Sequence, residues 1–117
     1  MTKFVVDPAP QVGQPIRGSN QSFPVCRIYC IGRNYADHAI EMGHDPNKEP
    51  PFFFQKNAQS VDTSGTFPFP PQTSDVHYEM DLVVALKSGG ADISLDAALD
   101  HVNEYGLGLD MTRRDLQ

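Results

Sequence analysis

The chain has 117 residues, a net charge of −6 and only two cysteines, with 39% hydrophobic and 21% charged residues. That length bounds it at one domain or less, with room for a modest core. The acidic balance argues against a nucleic-acid or anionic-membrane partner. The longest apolar run, Leu82 to Leu86, is far too short to cross a bilayer, and the opening MTKFVVDPAP lacks the apolar stretch of a signal peptide. Cys26 and Cys30 read as reduced, buried thiols of a cytoplasmic protein.

Residues 1–24 read as an N-terminal extension of surface loop, rich in Pro, Gly and polar residues, with Phe4-Val5-Val6 as its one strand candidate. Residues 25–117 read as the domain proper. Val25 to Ile31, VCRIYCI, is a β-rich apolar run and is expected to form one buried strand ended by Gly32. Asn34 caps a predicted helix over Tyr35 to Met42, with Asp37 near its positive end and Gly43 suited to its C-cap. FFFQK, 52–56, reads as a second buried strand, followed by a long Pro-containing loop over 57–75. VHYEMDLVVAL, 76–86, is the longest predicted strand, and Gly89-Gly90 a turn.

The spacing of Leu95, Ala98, Leu99, Val102 and Tyr105 after Ser94 predicts a helix that stops at Gly106. Leu107 to Leu109 then reads as a short strand delivering Asp110, and DMTRRDLQ as the start of another helical turn. Strands, short helices and long loops together define an α+β domain.

Three constellations carry candidate chemistry. Glu79 and Asp81 are two apart on a strand, so they share a face. With Asp110 they make a hard-oxygen donor set suited to Mg²⁺ or Mn²⁺. The alternative is a half-exposed edge strand whose carboxylates pair with Lys or Arg. His38 and Glu41 are one helical turn apart, a spacing that supports a His–carboxylate base for activating water, or an incidental solvated pair. On a helical turn, Asp110, Arg114 and Gln117 fall on one face. Arg114 then either grips a substrate carboxylate or pairs with Asp110 as a helix cap. Lys56, ending a Phe-rich strand, meets an anionic ligand or only solvent.

YCIGRNYADHAIEMG (29–43), PPFFFQK (50–56), VHYEMDLVVAL (76–86) and EYGLGLDMTRRDLQ (104–117), in that order and at those separations, resemble the fumarylacetoacetate hydrolase family. Within it, the Pro-Pro-Phe-Phe-Phe stretch and LDMTRRDLQ are most similar to the bacterial fumarylpyruvate hydrolases. The resemblance implies a mixed β-sandwich roll, present here only in part, and a homodimer when full length. It implies Mg²⁺ or Mn²⁺ held by Glu79, Asp81 and Asp110, with Asp81 one methylene shorter than the family's usual glutamate. His38 and Glu41 match the water-activating pair, carried on a helix that closes over the substrate. Arg114, Gln117 and Lys56 match substrate-contacting positions, although Asn57 stands where the family often has Pro after the lysine.

The implied activity is hydrolysis of the C–C bond of an acylpyruvate such as fumarylpyruvate. The alternatives are oxaloacetate decarboxylation or keto–enol tautomerisation on the same site, and an inactive fragment with fold and weak metal binding. The family's C-terminal half, with a further active-site lysine and a threonine-containing loop, has no counterpart in these residues. The 117 residues alone are therefore expected to fold poorly and turn over little.

Overall fold

The structure, a computed structural model, describes residues 1–32, 43 and 50–117. The predicted helix Tyr35 to Met42, with His38 and Glu41, lies outside the described residues. The chain divides into two compact units, Met1–Thr66 and Phe67–Gln117, and each is taken by itself. The described residues form three two-stranded antiparallel sheets and short helical turns, an α+β composition. No helix among them is long and apolar enough to cross a membrane.

In the first unit, β1 (Val12–Pro15) pairs with β2 (Ser22–Val25), Val12 opposite Val25 and Pro15 opposite Ser22. This hairpin corrects the expected loop, and Phe4 to Val6 form no strand. Pro15 and Pro24 are tolerated because each strand of a two-stranded ribbon has an open edge where no N–H is needed. The Gln11 side chain ties the ribbon's ends, donating to the Val12 carbonyl at 3.0 Å and the Val25 carbonyl at 2.9 Å.

The predicted single strand VCRIYCI is broken at Cys26-Arg27. Val25 belongs to β2, whereas β3 (Ile28–Gly32) pairs with β4 (Phe52–Lys56), so the chain changes partners between them. Cys26 at that junction is exposed, Cys30 within β3 is half-buried, and neither forms a disulfide. The expected burial of both thiols is therefore corrected. β4 has its predicted bounds but is not a buried strand, since Phe52 and Phe53 are largely exposed. Among the described residues only Ala58, in the 3₁₀ turn after β4, is buried.

In the second unit, β5 (Val76–Leu86) has the predicted bounds and pairs along its whole length with β6 (Val102–Arg113). One irregularity separates Ala85, opposite Glu104, from Leu86, opposite Val102. Asn103 is the extra residue, a β-bulge. The predicted helix from Leu95 is cut short. α1 spans only Leu95–Ala98, a 3₁₀ turn follows to His101, and Val102 and Tyr105 lie in β6. Ser94 precedes α1 in extended conformation without a side-chain cap bond. Gly89-Gly90 form no hydrogen-bonded turn; the left-handed residue in this connection is Asp92. The connection is closed instead by the Lys87 N–H donating to the His101 carbonyl and by Ser88 Oγ meeting His101 Nδ1, each at 2.9 Å.

Pairing sorts the ribbon's faces. Tyr78, Met80, Leu82 and Val84 lie opposite Met111, Leu109, Leu107 and Tyr105 on one face. Glu79, Asp81 and Val83 share the other with Asp110, Gly108 and Gly106. The apolar face is open in this unit, with Tyr78 at 73% and Leu107 at 76% of full exposure.

Gly32 faces Phe52, and a Cβ at this position would lie 2.3 Å from two Phe52 ring atoms. The ring fits only because glycine presents no side chain. Gly32→Ala should therefore lower stability by about 1–2 kcal/mol by displacing that ring, read as a lower urea midpoint of the full-length protein. An unchanged midpoint would show that Phe52 swings aside freely.

Candidate functional site

β5 and β6 bring three carboxylates to one face. Glu79 and Asp81 share a face because strand side chains alternate. Asp110 lies directly across from Glu79 in the register. Asp81 lies across from Gly108. Like charges directly opposed on a sheet destabilise it unless something compensates.

Part of the compensation is Arg114. Its Nη2 donates to Glu79 Oε1 at 3.1 Å, an ion pair with both side chains partly exposed. Its Nη1 donates to Gln117 Oε1 at 2.6 Å. The predicted helical face of Asp110, Arg114 and Gln117 is not formed. β6 runs on through Arg113, and only a 3₁₀ turn, Arg114–Leu116, follows. The three residues still gather at one end of the ribbon, because β6 delivers Asp110 beside β5 and the turn folds Arg114 back onto Glu79. Arg114 therefore pairs with Glu79 and not, as the capping alternative had it, with Asp110.

Lys56 is half-buried at the end of β4, opposite Ile28, in the first unit. His38 and Glu41 lie outside the described residues. Among the described residues, no three His, Cys, Asp or Glu side chains converge closely enough to hold a metal ion. Backbone register aligns the three carboxylates, but their oxygens are not gathered around one point.

Sequence reasoning missed a set of contacts beside Arg114. The Asp115 carboxylate accepts the Thr73 hydroxyl, and its Oδ2 accepts the Ser74 N–H at 3.4 Å. The Asp75 N–H donates to Thr73 Oγ1 at 3.1 Å, and the Arg114 N–H to the Asp75 carbonyl at 2.8 Å. His77 Nε2 lies 2.9 Å from Asp75 Oδ1 on the half-exposed surface. A signal was present in Thr73-Ser74-Asp75, the kind of segment whose side chains bond nearby backbone. Its partner 42 residues away had none.

The geometry is thus an acidic strand pair flanked by an arginine on one face of a β-ribbon. The family described as fumarylacetoacetate (FAA) hydrolase C-terminal matches residues 27–117. The chain belongs to the fumarylacetoacetate hydrolase family.

Among its relatives, the mitochondrial oxaloacetate decarboxylase of Dictyostelium discoideum is 45% identical over 93 residues, covering 78% of this chain and 42% of the relative. The fumarylpyruvate hydrolase of a Ralstonia species is 47% identical over 74 residues, covering 62% and 38% respectively. The crystal structure of fumarylpyruvate hydrolase from Pseudomonas aeruginosa, in complex with Mn²⁺ and pyruvate, superposes with a TM-score of 0.90 at 52% identity. That match covers 98% of this chain and 52% of the other, so the chain spans about half the length of a solved relative and carries the family fold in part.

The Thr73 hydroxyl, foremost, holds the Asp115 carboxyl below its ordinary value of 3.8, aided by the Ser74 N–H and opposed by desolvation. A carboxyl depressed on folding stabilises the fold above its unfolded value, and the contribution is lost as pH falls through the folded one. Asp115 should thus titrate below an ordinary aspartate in carbonyl-carbon NMR, and Thr73→Val should move it up. A normal titration in the parent would remove this interaction from the account.

Proposed function

We propose that this chain is part of a divalent-metal-dependent hydrolase that cleaves the C–C bond of an acylpyruvate, such as fumarylpyruvate, to pyruvate and a carboxylic acid. One observation carries the reading: the β5–β6 register sets Glu79 across from Asp110, with Asp81 on the same face and Arg114 against Glu79. The Pseudomonas aeruginosa relative, 52% identical and solved with Mn²⁺ and pyruvate, supports it.

By chemistry the donor set fits a hard divalent cation, since all three side chains offer carboxylate oxygens. Glu79, Asp81 and Asp110 would hold Mg²⁺ or Mn²⁺ once side-chain rotation gathers them. When bound, the ion supplies Lewis-acid stabilisation of the negative charge that develops on the pyruvate oxygen. The chain's residues do the rest. Arg114 anchors the substrate carboxylate through its fork of N–H donors, and Gln117, hydrogen-bonded to Arg114, fixes that fork and presents its own amide to the substrate. Lys56 adds a cation for the anionic substrate. His38 takes a proton from the attacking water while Glu41 supports the imidazolium that forms. Residues 25–117 then form the N-terminal portion of the catalytic domain of a protein that acts as a homodimer.

A second reading, oxaloacetate decarboxylation or tautomerisation, is favoured by the 45% identical Dictyostelium relative. Both reactions pass through a pyruvate-like enolate and need the same charge stabilisation. The full-length protein with Mn²⁺, given fumarylpyruvate and oxaloacetate in turn, should release fumarate from the first and little CO₂ from the second. The reverse pattern selects decarboxylation, and accelerated loss of the oxaloacetate enol absorbance without CO₂ or fumarate release selects tautomerisation. Activity that survives exhaustive chelation would exclude the metal role from both.

His38→Ala should lower kcat by about 10²-fold with Mn²⁺ affinity retained, as expected for a lost general base. An unchanged rate would reassign the proton transfer to another group.

A further inference from the structure

Arg114 sits on a three-residue 3₁₀ turn, too short and too poorly hydrogen-bonded to hold a long side chain by itself. The turn has no apolar anchor, because Leu116 is largely exposed. Its internal support is a single 3.4 Å bond from the Gln117 N–H to the Arg114 carbonyl. Yet the guanidinium is fixed at both ends, on Glu79 and on Gln117. Something outside the turn must set its position.

We infer that Thr73 and Asp115 form a side-chain latch that positions Arg114 and Gln117 for substrate. Asp115 is the middle residue of the turn, and its carboxylate is fastened to the 73–75 segment by the Thr73 hydroxyl and the Ser74 N–H. Thr73 Oγ1 works in both directions, donating to Asp115 and accepting from the Asp75 N–H. The same segment offers the Asp75 carbonyl to the Arg114 N–H at 2.8 Å, in line with the β5–β6 register beyond Val76 and Arg113, and the Thr73 hydroxyl braces that rung through the Asp75 N–H. Arg113 Nη1 reaches the Pro71 carbonyl at 3.5 Å, extending the seam. Gln72, just before Thr73, adopts φ of 61°, a left-handed conformation that a non-glycine side chain holds only when its surroundings enforce it. Thr73 and Asp115 do not touch the substrate. They act through the turn that carries Arg114, and to that extent the inference rests on the proposed function.

The test uses the full-length protein and two substitutions. Thr73→Val keeps the shape and removes the hydroxyl, whereas Thr73→Ser keeps the hydroxyl. In Thr73→Val the Arg114 amide should exchange with solvent roughly tenfold faster, because its bond to Asp75 is no longer braced. KM for fumarylpyruvate, and the dissociation constant for pyruvate on the Mn²⁺-loaded protein, should rise roughly tenfold with kcat nearly unchanged, the pattern of lost binding common to ground and transition states. Thr73→Ser should restore all three.

Unchanged Arg114 exchange in Thr73→Val overturns the latch, whatever the protein's substrate. So does Thr73→Ser behaving like Thr73→Val, because the hydroxyl would then not be the operative group. Faster exchange with KM and pyruvate affinity unmoved overturns the positioning role. A parent protein that ignores both fumarylpyruvate and pyruvate refutes the proposed function, and the exchange measurement still decides the latch.

Discussion

The register between β5 and β6 is the constraint on which the rest of the second unit depends. A strand's side chains alternate, so a slip of one residue turns every side chain on it to the other face. On β5 this puts Tyr78, Met80, Leu82 and Val84 on one side and Glu79 and Asp81, followed by Val83, on the other. β6 matches it with Leu107, Leu109 and Met111 against Gly106, Gly108 and Asp110. Apolar pairing on one face therefore specifies which acids meet on the other. The site is a by-product of where the oily side chains must go.

An acid placed across from an acid needs a counter-charge, and two are available to Glu79. Arg114 supplies one now, at 3.1 Å. A partly exposed ion pair of this kind contributes little to stability, so it gives way at small cost. A divalent cation is the other answer in the proposed mechanism. Arg114 so placed neutralises Glu79, and under the proposed function a metal held by Glu79 would free its guanidinium for a substrate carboxylate. The same electrostatic problem thus links the fold to the proposed chemistry.

How much of this was legible in the sequence depended on the range of the interaction. β4 and β5 were readable to the residue, because an apolar run bounded by polar and turn-forming residues is a local signal. The common face of Glu79 and Asp81 followed from alternation alone. The helix predicted through Tyr105 failed at its C-terminal part because Tyr105 also opens the period-two series Tyr105, Leu107, Leu109 and Met111, and eleven residues of β5 offered hydrogen bonds that an isolated helix could not match. Asp110 was placed beside the right neighbours but on the wrong kind of element for the same reason. The β1–β2 hairpin was hidden by its prolines, which mark loops in wide sheets but not in a two-stranded ribbon. The Thr73–Asp115 contact joins residues 42 positions apart and leaves no periodic trace. The environment of His38 and Glu41 lies outside the described residues, so their pairing rests on spacing and resemblance alone.

The bulge at Asn103 has a consequence for parity. If pairing ran straight on from Leu86 and Val102, Glu79 would face Leu109, and Asp110 would fall opposite Tyr78 among the apolar side chains. The one unpaired residue shifts the count from even to odd, which puts leucine with leucine and acid with acid. Asn103 works as a frameshift written in backbone, far from the carboxylates it aligns. Its side chain is of little account. What the ribbon requires is that a residue be there.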